Sequence, residues 1–441
     1  MAFLDRGNIG NARTAGMAAD LHLGGDRYAW LLTIFYITYI LAEGGTMMWK
    51  IVPAHIWAAV LVFAWGLIAT LQAATVNWQG MMACRFFLGI VEACFGPGVP
   101  YVLSFFYLRR ELGFRIGIYL SAAPLASTFA GALAYGITSG HAHIANWRLL
   151  FIVEGIPSMM LAVVAWFYMP DSPEQAKFLT AEEKAVAKAR VLRQVGNGEK
   201  RVGGIVWKDV AATFADPKAY FTAFMYFSCN VGFSSLPVFL PTILTDMGFT
   251  AINAQGLTAP PYFLSFLVTI LSCLIADKTA QRGYMVMFLS SIGGIGYLLL
   301  CTVDSVGVRY LGVFLAASGI FPSIANILSW VLNNQGSDTR RGVAIVILNL
   351  IGQCGPLLGT NVFPTNEGPR YIKGFAISAA FTWFTAVLAL GLRCLLVWEN
   401  EKLDAKYGPR EQAVAMQTGD QSGHESAVAE ENYGATFRYI L

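Results

Sequence analysis

The chain has 441 residues, 56% of them apolar and only 13% charged, and its mean hydropathy is +0.54. A soluble domain carries about 25% charged residues, so this composition excludes a water-exposed fold and makes the bilayer the solvent. The formal net charge is +3, and the 30 Lys and Arg are spread between apolar runs, which leaves no basic face for nucleic acid.

A bilayer core of about 30 Å asks for about 20 apolar residues per helix. That ruler gives eleven spans, at 28–49, 56–76, 81–107, 116–138, 149–169, 219–245, 260–276, 285–303, 308–333, 343–363 and 374–397. Five precede a polar stretch at 170–216 that contains TAEEKAVAKARVLRQV and reads as a linker; six follow it. The opening MAFLDRGNIGNA is too short to cross the core, and Asp5 interrupts the apolar run that a signal peptide would need. It reads as the second half of another span, with an omitted upstream exon as the favoured cause and a damaged carrier as the other. The expected all-α membrane protein therefore has a bundle at 1–169, a linker at 170–216, a second bundle at 217–398 and a tail at 399–441, its first helix lacking a beginning.

With the linker in the cytoplasm, 22 Lys and Arg fall on that side against six on the other, as the positive-inside rule requires. A weak internal echo relates the halves: Pro97, Arg109/Arg110 and Pro124 are answered by Pro322, Arg340/Arg341 and Pro356. Repeated halves with interrupted helices are a transporter signature, and the substrate site lies at their interface.

A charge inside a span costs roughly 2.5–3.5 kcal/mol on insertion scales and normally faces a cavity or a partner. Asp5, Arg6, Glu43, Arg85, Glu92 and Glu154 all lie in the first half, whereas the second half offers Asn230, Asn326, Asn349 and Gln353. That division suits an anion held between two bundles. Arg85 and Glu92 are seven residues apart, so they share one helix face at a separation of about 10 Å. Gly89 would leave room between them, and FGPG at 95–98 would loosen the helix beyond. An ion pair that ties helices together is the plainer reading.

Asp5 and Arg6 point about 100° apart on a helix. The four groups Arg6, Arg85, Asp5 and Glu92 sum to zero charge, so protonating one carboxylate leaves +1, which matches one bound monoanion. A proton from outside would thus free an arginine for a substrate carboxylate. Glu43 and Glu154 read equally as gates or as ties between helices. Tyr36 and Tyr39 could stack on a substrate, with simple packing as the plainer reading.

Other chemistry finds little footing. The seven cysteines lie in apolar runs without paired spacing, and the five histidines, the His141/His143 pair included, sit in polar connections or at a helix edge, so neither disulfides nor a metal is expected. DKTA at 277–280 has a look of the phosphorylation loop of cation pumps, but no soluble catalytic domain accompanies it. No G-x-x-x-x-G-K-[ST] loop occurs. Gly293, Gly294 and Gly296 read as close helix packing. No nucleophile–base set suggests an enzyme.

The chain resembles the major facilitator superfamily and, within it, the anion:cation symporter branch of fungal allantoate, nicotinate, pantothenate and biotin permeases. The likeness runs almost end to end. It rests on LDRGNIGNA (4–12), CRFFLGIVEACFGPG (84–98), NWRLLFIVEGIPS (146–158), MPDSPEQAKFLTAEEK (169–184), ADKTAQRG (276–283), LNNQGSDTRRGVA (332–344) and GPRYIKG (368–374).

The resemblance implies two six-helix bundles with both termini cytoplasmic, alternating access around a central site, and proton symport of a small carboxylate with no cofactor beyond the proton. It makes Arg6 and Arg85 anion ligands, Asp5 and Glu92 proton carriers, and Tyr39 and Asn349 cavity residues. Asp277 with Arg282 is similar to the superfamily's cytoplasmic gating loop. One departure is EGGTMMWKIVPAH, where the branch has proline and asparagine after the glutamate. A monomeric plasma-membrane carrier is expected, with a non-transporting nutrient sensor or an inactive truncated carrier as the alternative.

Overall fold

A computed structural model describes residues 7–107, 111–139, 144–195, 205–364, 367–368, 370–409 and 437–441. Asp5, Arg6, Arg109, Arg110, His141 and His143 lie outside these described residues.

Among the described residues, eleven helices are long and apolar enough to cross a membrane. The chain opens with α1 (Ile9–Ala12), a π turn (Arg13–Met17) and α2 (Ala18–Asp20). The spans of the first half are α3 (Arg27–Ala42), α4 (Ala54–Gln72), α5 (Trp78–Phe95) continued by α6 (Gly98–Phe106), α7 (Leu112–Thr138) and α8 (Asn146–Tyr168). In the polar stretch lie α9 (Ala181–Val195) and α10 (Trp207–Phe214). The second half has α11 (Pro217–Asp246), short α12 (Ala251–Leu257), α13 (Ala259–Thr279), α14 (Arg282–Thr302), α15 (Val306–Asn333), α16 (Asp338–Gly352) continued by α17 (Cys354–Gly359), and α18 (Ile372–Tyr407).

Three features depart from the sequence expectation. The span after Tyr28 changes at Glu43 into a 3-10 segment, Glu43–Lys50, in the stretch that carries EGG. The last span continues ten residues beyond 397, to Tyr407, because the polar helix NEKLDAK keeps helical propensity after leaving the apolar run. Finally, the tail is not wholly separate, since Phe437–Leu441 packs onto the second bundle.

In lipid, apolar burial drives helix association weakly, and close approach through small residues replaces it. Gly66 of α4 lies against Gly155 of α8; Gly293 and Gly296 of α14 lie against Gly319 and Gly312 of α15. Gly294 makes room for the Trp383 indole of α18. Large apolar side chains such as Phe63, Phe129 and Val387 stay exposed and form the face that meets hydrocarbon.

The cationic groups sort to two ends. Lys50, Lys218, Arg282 and Arg340 lie at the end that carries α10, here termed the linker face. Arg27, Arg148 and Arg370 lie at the far face, where Arg148 donates to the Ala73 and Thr75 carbonyls at 2.9 and 3.0 Å and Arg370 pairs with Asp304.

Candidate substrate site

Pro97 has no N–H and cannot donate to the Ala93 carbonyl one turn back. The α5–α6 break follows from this, and other elements satisfy the freed carbonyls, as membrane burial demands. Thr46 Oγ1 donates to Ala93 at 3.3 Å, Trp49 Nε1 to Cys94 at 2.7 Å, and the Tyr119 hydroxyl of α7 to Gly96 at 3.1 Å. The break is thereby locked to the 3-10 segment and to α7. Any Cβ on Gly98 would overlap the Trp49 indole.

Two narrow cavities lie between the bundles. The one nearer the far face is lined by Tyr36 of α3, Arg85 of α5 and Ser127 of α7, opposite Ser234 and Pro237 of α11 and Thr360. Gly7, which follows Asp5 and Arg6 in the sequence, reaches the same cavity. Nearer the linker face, the second cavity is lined by Tyr39, Glu92 and Tyr119, opposite Tyr226 and Asn230 of α11 and Asn349 and Gln353 of the α16–α17 region. Ala123, Phe233 and Phe321 line both. The Phe233 and Phe321 rings, with centroids 4.8 Å apart, form the partition.

Arg85 and Glu92 are each 1% exposed, and their seven-residue spacing sets one in each cavity. Gly89 between them does not open space as the sequence suggested. A Cβ there would overlap the Phe35 carbonyl and Thr38 Oγ1, so Gly89 lets α3 lie directly on α5 and the cavities open above and below that contact.

On the opposing wall the polar groups are neutral. Asn230 Nδ2 donates to the Gly352 carbonyl at 3.1 Å, Asn349 Nδ2 to Ile345 at 3.0 Å, and Gln353 Nε2 to Asn349 Oδ1 at 3.5 Å. Charge in the described lining thus comes from the first bundle and amide hydrogen bonding from the second.

The bundles touch at both ends of these cavities. At the linker face, Asp277 pairs with Arg282 and also accepts from the Phe114 backbone N–H of α7 at 2.5 Å, so the pair reaches across to the first bundle. Lys50 Nζ donates to Thr339 Oγ1 at 2.9 Å at the same face. At the far face, Gly10 lies against the Val238 backbone and Thr128 Oγ1 donates to the Ala259 carbonyl at 3.5 Å. The cavities are enclosed between two contact zones.

Arg85 therefore lines one cavity and Tyr39, Glu92 and Asn349 the adjoining one, while Asp277 and Arg282 stand apart at the linker face. Buried Glu43 and Glu154 line neither cavity. Nor does Asn326, which donates to Ser272 Oγ and the Pro322 carbonyl within the second bundle. Sequence reasoning missed Tyr119, Tyr226, Phe233 and Phe321. Tyr226 and Phe233 lie within about a turn of Asn230 and Phe321 next to Pro322, which was their one signal; Tyr119, five residues before Pro124, had none.

Comparison with known proteins agrees with this architecture. Residues 1–360 match the Major Facilitator Superfamily family model. The MFS-type transporter efuF of Hormonema carpetanum is 32% identical over 95% of this chain and 84% of that protein. The high-affinity nicotinic acid transporter of Saccharomyces cerevisiae is 31% identical over 91% of this chain and 75% of that protein. Among solved structures, the proton:xylose symporter XylE superposes with a TM-score of 0.67 at 14% identity, covering 92% of this chain and 94% of that one. The human organic anion transporter MFSD10 gives 0.61 at 13% identity, covering 88% and 97%. Eleven apolar helices, two facing bundles with cavities between them and these relatives together establish that the chain belongs to the major facilitator superfamily and is a multi-pass membrane transporter of small molecules.

Proposed function

We propose that the protein carries a small organic anion together with a proton by alternating access. The observation that carries this reading is the pairing of one buried guanidinium and one buried carboxyl on a single face of α5, lining adjoining cavities. A guanidinium offers a planar fork that matches a carboxylate in bidentate fashion, which an ammonium does not. While Glu92 is ionised its charge offsets that of Arg85; once it is protonated, Arg85 contributes +1 and a monoanion restores neutrality.

Tyr39 and Asn349 then fix the substrate's orientation by ring contact and amide hydrogen bonding. Arg6 is a second anion ligand and Asp5 a second proton carrier on the family resemblance, with Gly7 leading toward the same cavity. Asp277 and Arg282 hold the linker face shut between cycles. With the linker face cytoplasmic, the protein works as a monomer in the plasma membrane without catalysis or a bound cofactor. The 31% identity to a yeast protein named for nicotinic acid supports an aromatic or similarly compact monocarboxylate.

The test is uptake of labelled nicotinate into proteoliposomes, with competition by unlabelled carboxylates, ureides and sugar acids. Accumulation driven by an acidic exterior is expected. Uptake indifferent to pH would remove proton coupling, and saturable binding without flux would identify a sensor instead.

A further inference from the structure

The segment Phe437–Leu441 lies at the linker face of the second bundle, where its backbone is held as an extended strand would be. Asn400 of α18 donates through Nδ2 to the Tyr439 carbonyl at 3.0 Å and accepts from the Tyr439 N–H at 2.8 Å. Asn334, just past α15, treats Ile440 in the same two-way fashion at 2.9 and 2.8 Å. Trp330 Nε1 also donates to the Ile440 carbonyl, at 2.8 Å. Arg438 pairs with Asp404 at 2.6 Å, the Lys218 ammonium lies 5.1 Å from the Tyr439 ring centre, and Phe437 is 1% exposed. Five residues thus join the ends of α11, α15 and α18.

The sixth connection gives this docking its consequence. The Leu441 main-chain oxygen accepts from the backbone N–H groups of Arg282 and Gly283 at 2.6 and 3.3 Å, at the first residues of α14. Arg282 and Asp277 flank a tight turn in which Ala280 has φ +54°, a conformation that L side chains rarely adopt. The orientation of this turn decides whether Asp277 reaches the Phe114 N–H of the first bundle. A Cβ on Gly113 would overlap the side-chain ends of both Arg282 and Asp277, so the clasp lies directly on α7.

We infer that Phe437–Leu441 is a latch: docked on the second bundle, it fixes the α13–α14 turn and thereby keeps the Asp277–Arg282 clasp closed on α7, and its release favours opening at the linker face. Trp330, Asn334, Asn400 and Asp404, which hold the segment, all belong to the second bundle, and its link to the bundle interface runs through the clasp. Two asparagines reading backbone amides set the register, while the Arg438–Asp404 pair and the buried Phe437 ring set the identity of the occupant.

Hydrogen exchange read by mass spectrometry tests this on the full chain and on a variant ending at Thr436, with no substrate required. The Phe114 amide reports directly on the clasp. Removing the segment is expected to raise exchange at 112–116, across the interface, by at least about fivefold, within the usual range of coupling between sites, together with exchange at 280–285. Added FRYIL pentapeptide should reverse both changes and a scrambled peptide neither. The full-length Asn334→Ala/Asn400→Ala variant should resemble the truncation. Faster exchange at 280–285 with 112–116 unchanged would reduce the segment to a local cap, and a uniform rise through both bundles would reduce it to a folding element; either overturns the latch. Because the readout involves no transport, it is independent of the proposed anion and proton chemistry.

Discussion

Arg85 and Glu92 stand on one face of α5, two turns apart, and each lines a different cavity behind the shared Phe233–Phe321 partition. At about 10 Å along the axis they lie too far apart for a close pair, yet close enough for the charge state of one to bias what binds at the other. The cavity wall opposite them supplies neutral amides.

Replacing Arg85 separates charge from geometry. Arg85→Lys keeps the cation but loses the fork, and Arg85→Ala loses both. Hydrogen bonds to charged groups contribute about 1.5–3 kcal/mol, so the alanine variant is expected to raise the KM for a carboxylate about 10- to 150-fold, with lysine restoring only part. Initial-rate uptake measures this, and equal KM values in all three proteins would remove Arg85 from the substrate.

Gly89→Ala places a methyl group against the Phe35 carbonyl and Thr38 Oγ1. Overpacking of this kind costs about 1–3 kcal/mol. Because α3 and α5 carry Tyr36, Tyr39, Arg85 and Glu92, both the melting temperature in detergent and the affinity should fall. A variant as stable and as tight-binding as the parent would show that α3 does not rest on α5 here.

Gly113→Ala intrudes on the clasp at Asp277 and Arg282. Lys50, elsewhere on the linker face, is 6% exposed and bonded to Thr339, so it reports on closure at that face. Labelling of Lys50 by a membrane-impermeant amine reagent, read by mass spectrometry, should increase in the variant. No increase would mean that the clasp does not control this face.

The linker helix α9 carries a pH-sensitive start. Glu183 accepts from the Thr180 N–H at 2.8 Å and from its hydroxyl at 3.0 Å, while Thr180 Oγ1 accepts from the Glu183 N–H at 3.3 Å, a reciprocal cap. The Thr180 donors hold the Glu183 carboxyl below its ordinary value. A carboxylate with a depressed folded-state pKa stabilises above its unfolded value and ceases to do so as pH falls through the depressed one. Exchange at 181–186, corrected for intrinsic pH dependence, should therefore rise between about pH 6 and about pH 3, and Thr180→Ala, which removes the hydroxyl but keeps the backbone N–H donor, should weaken that response.

Helix number and order were legible because membrane thickness sets a length that apolar runs either meet or miss. Helix ends were less so: α18 outlasts its apolar stretch, since hydropathy measures burial in lipid and not helix propensity. In the site, Arg85 and Glu92 stood out because charge inside a span is costly. Phe233, Phe321, Tyr119 and Tyr226 did not, because aromatic residues occur alike on lipid-facing, core and cavity surfaces of these helices. The docking of Phe437–Leu441 was illegible for another reason: its register is set by Asn334 and Asn400, two polar residues distant in sequence whose partners are backbone groups that no side chain announces.

Proton-coupled anion transport is measured by following both species together. Proteoliposomes clamped at zero membrane potential and loaded with a pH-sensitive dye are exposed to nicotinate, or to whichever carboxylate competes best for uptake, and flux of both species is recorded for the parent protein and for Glu92→Gln. Lumenal acidification in step with anion entry is expected in the parent, and anion exchange without proton movement in the variant. Anion entry without acidification in the parent, or undiminished acidification in the variant, would contradict it.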